Sequence, residues 1–414
     1  MRHAMNQQDS IAQENNQAFG KDIRKGSLVS ILLLAKFIER FAYFGWRSIL
    51  FVFLVENVAT ENRLSQQDIS QIYGVVIIGT ILMSLLGGFI GDKLNNNGRV
   101  SMIGFFLISA GFAMTWQFTD DLYLVPIVII SIGIGLANPN LTAMIGKLYF
   151  NQKQHLFRAY SANFLAINIG AFLAALVIGL ASQTIGLIGA IIILSLVVLI
   201  PALLLHVFRE KFLLIDASYS NISRSTQSRL PTLGLLFIIV IAINVLDELF
   251  WGGSIQNLMS NNLNTDLANL ENFALIVTIN CLVVFLFLGL NSVKSWKRLL
   301  WLTAIMTISL MLWQQSFQLY AQLGYGQIFS FVLVIGLLEA VSQPYLHALL
   351  IKLNIRFVAT SIALISLVAQ AGQAVIKVIE PESIAIPVIC VLLIFGSGFG
   401  FYYLMKQLRE SDAS

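Results

Sequence analysis

Charge is scarce in this sequence. Asp, Glu, Lys and Arg make up 11% of its 414 residues and hydrophobic residues 57%, whereas about a quarter of a soluble chain is charged. The balance excludes an ordinary soluble domain and predicts an all-α polytopic membrane protein. Cysteine is nearly absent. Cys281 and Cys390 both lie inside apolar runs, where they read as small buried hydrophobes, so neither a disulfide framework nor a metal site is expected. The four histidines, His3, His155, His206 and His347, have no metal-ligand spacing. No nucleophile–base pair stands out, so the chain is not expected to be an enzyme and no cofactor is expected. The first 27 residues are polar and rich in Gln and Asn, and no cleavable signal peptide is expected. The net charge of +4 follows topology rather than a nucleic-acid partner.

What is abundant is long apolar segments. Twelve are predicted, near 28–55, 69–91, 100–117, 123–148, 159–183, 187–208, 231–258, 271–290, 299–318, 323–351, 358–378 and 384–405. Thr184-Ile185-Gly186 must hold a tight turn, because the two segments it separates are together too long for one crossing. Lys and Arg concentrate in alternate connections, and the intervening ones carry Glu56, Glu61, Asp68, Asp120, Asp121, Asp266, Glu380 and Glu382. Both termini are therefore expected in the cytoplasm, and a bacterial inner or plasma membrane is the expected location.

The Ser-rich, basic stretch 209–230 divides the chain. The expected organisation is a cytoplasmic tail (1–27), a six-helix bundle (28–208), a cytoplasmic interbundle loop (209–230), a second six-helix bundle (231–405) and a cytoplasmic tail (406–414). Two equal halves suit a transporter built from repeats around a midplane site.

The first apolar segment is the exceptional one. Lys36, Glu39, Arg40 and Arg47 interrupt it, and Lys36, Arg40, Tyr43 and Arg47 fall on one helical stripe. Its seventeen Leu, Ile, Val and Phe residues between Leu28 and Val55 supply roughly 5 to 10 kcal/mol of insertion free energy. Four charges near its middle cost roughly 10 to 14 kcal/mol. The terms nearly cancel, so the charged face is expected to line a hydrated, protein-walled cavity. The alternative, snorkelling to an interface, suits Arg47 better than Lys36 or Arg40.

Gly87-Gly-Phe-Ile-Gly-Asp-Lys-Leu-Asn-Asn-Asn-Gly-Arg99 resembles the loop between helices 2 and 3 of the major facilitator superfamily. The resemblance implies that fold, with twelve transmembrane helices in two bundles and a cytoplasmic latch formed by Asp92 and Arg99. Glu39-Arg-Phe-Ala-Tyr-Phe-Gly45 further resembles the helix 1 motif of the proton-dependent oligopeptide transporter family. Gly133-Ile-Gly-Leu-Ala-Asn-Pro-Asn140, Ile167-Asn-Ile-Gly170, Gly252-Gly-Ser-Ile255 and Glu339 five residues before Pro344 follow in the family's order. The departures are specific. Lys36 replaces a glutamate, Asn138 the helix 4 lysine, Ile81 a helix 2 tyrosine and Phe44 a second helix 1 tyrosine.

The resemblance implies transport of a small peptide or peptide-like zwitterion by alternating access, coupled to protons. It makes Arg40 the carboxylate clamp, Glu339 the amine anchor, and Asn168 and Asn280 peptide-backbone contacts, with Lys36 and Tyr43 in the same site. Interhelical bonding is nearly as good a reading of the two asparagines. Whether Lys36 is a second substrate cation or pairs with Glu39 stays open. Glu39, Arg47, Asp247 and Glu248 are the expected coupling and gating groups, with Arg47 closing the outside against a helix 7 acid. His347 reads first as a packing or hydrogen-bonding residue. A monomer in the lipid bilayer is expected. The alternatives are a facilitator or exporter of another amphipathic or anionic solute that uses a Lys36/Arg40 pocket, and a non-transporting receptor.

Overall fold

The computed structural model describes residues 25–54, 66–115, 122–150, 152, 155–222, 230–248, 343–353 and 355–378. Within 230–248 and 355–378, side chains are described as far as residues 241 and 369. In chain order the helices are α1 (Lys25–Phe53), α2 (Gln66–Leu94), α3 (Asn97–Thr115), α4 (Leu124–Leu148), α5 (Leu156–Thr184), α6 (Gly186–Val207), α7 (Arg209–Ile222) and α8 (Leu230–Glu248). The helical stretch 343–352 follows as α9, and then α10 (Val358–Val378). Among the described residues α2 to α6 are long and apolar enough to cross a membrane. α1 has the length, at 29 residues, and differs by the charges of Lys36, Glu39, Arg40 and Arg47 within its apolar run. Of the predicted segments, the eighth, ninth and twelfth lie outside the described residues.

The predicted turn at 184–186 is as tight as helices allow. Ile185 alone separates α5 from α6, and Gly186 opens α6 at φ +81°, a conformation that costs a residue without Cβ little. α1 packs chiefly on α5, and α3 lies against α4 and α6. Paired serines join α3 to α6. The Ser109 hydroxyl donates to the Ser195 carbonyl at 2.9 Å and the Ser195 hydroxyl to the Ser109 carbonyl at 3.0 Å. Such bonds hold helices together where lipid and protein interior are equally apolar.

The stretch 209–230 is not simply a loop. α7 buries Phe212, Ile215, Asp216 and Tyr219, spaced so that they share one face, against the ends of α3 and α4. The two halves of the chain meet at the same end of the molecule. Tyr219, Leu233, Tyr345, Leu349, Ile351 and Val358 form a core with Ala143, Phe150, Leu156 and Tyr160 of the first half. At the α2–α10 crossing a Cβ on Gly88 would lie 2.7 Å from the Ala359 carbonyl oxygen, so only glycine admits this approach.

Candidate functional site

Three charges of α1, Lys36, Glu39 and Arg40, form one cluster inside the protein. Arg40 donates to both oxygens of Glu39, from Nε and from Nη2, each at 2.6 Å. This bidentate fork is the strongest geometry a guanidinium offers a carboxylate. Lys36 Nζ stands 3.3 Å from Glu39 Oε2, the oxygen that Arg40 Nε also meets, and it also donates to the side-chain oxygen of Asn138 and, at 3.4 Å, to that residue's carbonyl. Pro139 follows directly and interrupts the α4 backbone ladder. Of the two readings of Lys36, the pairing with Glu39 is the one seen here. Lys36 also carries its charge to the α4 position where the resembled motif has a lysine.

Burial separates the members of this cluster. The side chains of Lys36 and Glu39 are 1% and 0% exposed, and that of Arg40 is 14% exposed. Arg40 is therefore the cation with surface left for a ligand, and its guanidinium lies 5.0 Å above the Tyr43 ring, within cation–π range. α5 makes this placement possible. A Cβ on Gly170 would stand 2.6 Å from the Phe37 carbonyl oxygen and 3.1 Å from Arg40 Cβ, so α1 rests against bare backbone there. Asn168, on α5, donates its amide to the Phe164 carbonyl at 2.9 Å, which leaves its side-chain oxygen as the acceptor. Arg47 is exposed near the far end of α1. His347 donates from Nδ1 to the Gln343 carbonyl at 2.7 Å. Its ring sits 5.4 Å from that of Tyr160 on α5. Asn280, Glu339 and the side chains of Asp247 and Glu248 lie outside the described residues.

A second polar cluster occupies the α2–α3 end. Asp92 accepts from the backbone N–H groups of Ala359 (3.2 Å) and Thr360 (2.8 Å) and from the Thr360 hydroxyl (2.9 Å), so it caps the first turn of α10 and complements its dipole. The basic partner here is not Arg99, which is exposed and makes no ion pair among the described residues. It is Lys147, whose Nζ donates to Asn97 Oδ1 at 2.6 Å and to Asp216 Oδ1 at 2.9 Å and lies 3.9 Å from Asp92 Oδ1. The second Asp216 oxygen accepts from the Asn97 backbone N–H at 2.8 Å, at the start of α3. The Asn97 amide bonds to Asn140, which in turn donates to the Gly87 and Leu136 carbonyls at 2.9 and 2.7 Å. Tyr219 closes the cluster from α7 by donating to the Ile355 carbonyl at 2.9 Å. Burial first, and the Asp92 charge second, push the Tyr219 phenol above its ordinary value, so it remains a donor.

Sequence reasoning did not single out Lys147, Asp216 or Tyr219. A signal existed for Asp216, an acid in register with Phe212, Ile215 and Tyr219 on an amphipathic stretch. Lys147 reads from the sequence as one more basic residue at a helix end, and only the arrival of α7 buries it.

A helical membrane bundle in two halves, with a buried charge cluster on its first helix and an acid capping a helix of the other half, defines a facilitator-type fold. The Major Facilitator Superfamily profile matches residues 37–408, and the chain belongs to that superfamily. It is an integral membrane protein. The Di-/tripeptide transporter of Lactococcus lactis subsp. lactis (strain IL1403) is 28% identical over 159 residues, 37% of this chain and 31% of the relative. Peptide transporter YePEPT of Yersinia enterocolitica subsp. palearctica is 30% identical over 162 residues, 38% and 32% of the two chains. The matched stretches thus span about a third of these relatives' length. Among solved structures, the human organic anion transporter MFSD10 (TETRAN) matches with TM-score 0.67 at 14% identity, over 92% of this chain and 100% of that one. The POT family transporter PepTSo matches with TM-score 0.55 at 14% identity, over 92% and 97%. Both likenesses concern the fold.

Proposed function

We propose that the chain is a secondary transporter of a small peptide or peptide-like zwitterion, a divergent member of the proton-dependent oligopeptide transporter family that works by alternating access with protons as the coupling ion. The observation that carries the reading is Arg40, held by both Glu39 oxygens and lying over Tyr43 with its side chain 14% exposed. A fixed planar fork suits a substrate carboxylate. Lys36 reinforces it by standing at Asn138, and the two similar peptide transporters support the substrate class. In this reading Asn168 and Asn280 meet the peptide backbone, Glu339 anchors the amine, and Arg47 with Asp247 or Glu248 closes the outside. Asp92 holds the α2–α3 end, which together with both termini faces the cytoplasm.

Uptake of dialanine into proteoliposomes tests it, and the expected result is accumulation that rises with an inward proton gradient. Uptake indifferent to the gradient removes the coupling, and binding without flux in either direction leaves a receptor. A second reading rests on charge. Lys36, Glu39 and Arg40 together carry one net positive charge, which suits an anionic solute, and competition by succinate stronger than by dialanine would select it.

A further inference from the structure

Two acids at the α2–α3 end cap helices of different halves. Asp216 caps α3, inside the first half, and Asp92 caps α10, across the divide. One buried ammonium lies between them, 2.9 Å from Asp216 and 3.9 Å from Asp92. The contrast in what each acid keeps is decisive. If the halves separate here, Asp216 retains its bond to the Asn97 N–H, because α3 and α7 move together. Asp92 loses all three of its α10 donors at once, and a neighbouring cation can replace them with a charge-assisted bond. Lys147 is the cation in reach. A shift of about 1 Å brings its Nζ from 3.9 Å to a charge-assisted bonding distance.

We propose that Lys147 exchanges partners during the transport cycle, bonded to Asp216 of the interbundle helix while α10 is latched and to Asp92 when the latch opens, so that α7 sets how readily this end opens. The proposal rests on the reading that the two halves rock. Asp216 is a positioning residue, and it acts by competing with Asp92 for one ammonium. The Tyr219 bond to the Ile355 carbonyl, which runs from α7 across the divide, is broken in the same movement.

The test is the separation of spin labels at Lys93→Cys and Arg356→Cys, two exposed sites flanking the α2–α10 crossing, with Cys281 and Cys390 replaced by Ala and the full chain in lipid nanodiscs. Wild-type protein is expected to show a short and a long distance. Asp216→Asn frees Lys147 for Asp92 and should raise the long-to-short ratio about fivefold or more. Adding Lys147→Met to Asp216→Asn removes the exchanged cation and should return the ratio to wild type or below. A network that merely glued this end shut would leave the double variant as open as the single one, and that result overturns the exchange. An unchanged ratio in Asp216→Asn also overturns it while leaving the rocking intact. A single distance in wild type, with or without 10 mM dialanine, overturns both together. If Asp216→Asn does not fold, the double variant decides alone, since uncharged replacement of a buried ion pair is tolerated. A long-distance population above wild type then refutes the exchange.

Discussion

Lys36 on α1 donates to the side-chain oxygen of Asn138 on α4. The contact joins two of the positions at which the sequence departs from the peptide-transporter motif. A cation entering from α1 occupies the space that a lysine side chain at 138 would fill.

The pair should therefore behave as a unit. Lys36→Glu alone removes a cation and adds an acid beside Glu39, and Asn138→Lys alone sets two ammonium groups in one place. Each is expected to reduce dipeptide uptake at least tenfold, and the double variant to recover most of it, a coupling within the range of about 0.5 to 3 kcal/mol for contacting residues. Additive losses would sink the account, as would unchanged substrate range and pH dependence in all three variants.

Glu39 is the only carboxylate between Lys36 and Arg40 among the described residues. Glu39→Gln leaves two buried cations sharing one amide oxygen, and a loss of about 3 to 5 kcal/mol is expected. Chemical unfolding in detergent measures it. A loss under 1 kcal/mol would mean that water already reaches this carboxylate.

Arg40→Lys keeps the charge and discards the fork. Its effect should fall on the ligand, so the thermal shift produced by dialanine should disappear while the melting point without ligand moves less. Equal loss of both would reduce Arg40 to a structural partner of Glu39.

Gly170→Ala places a Cβ 2.6 Å from the Phe37 carbonyl oxygen. Backbone cannot yield as a side-chain tip does, so α1 and α5 should part and dialanine binding should weaken at least tenfold. Gly179→Ala, on the same helix with nothing within 4 Å of the new Cβ, should leave binding unchanged.

The paired serines give a smaller effect. Ser109→Ala is expected to cost about 0.6 to 1.7 kcal/mol by unfolding in detergent, with uptake preserved, because the α3–α6 contact lies away from the Arg40 cluster.

The membrane class, the turn at 184–186, the exceptional first helix and the glycine-bearing corner at Asp92 were legible in the sequence alone. These follow from local quantities, namely apolar length, charge per crossing and a residue without Cβ. The sequence also marked Lys36 and Asn138 as departures, but left open whether Lys36 serves a ligand or Glu39. Helix packing settled the rest: Lys36 reaches both Glu39 and Asn138, Arg40 is the most exposed of its cluster, and Lys147 rather than Arg99 is the cation of the α2–α3 end. The reason is distance along the chain. Lys36 and Asn138 are 102 residues apart, Lys147 and Asp216 69, and Asp92 and Thr360 268. No helical period links such pairs, and a side chain's partner is settled only when packing has fixed which helices touch and where the low dielectric begins.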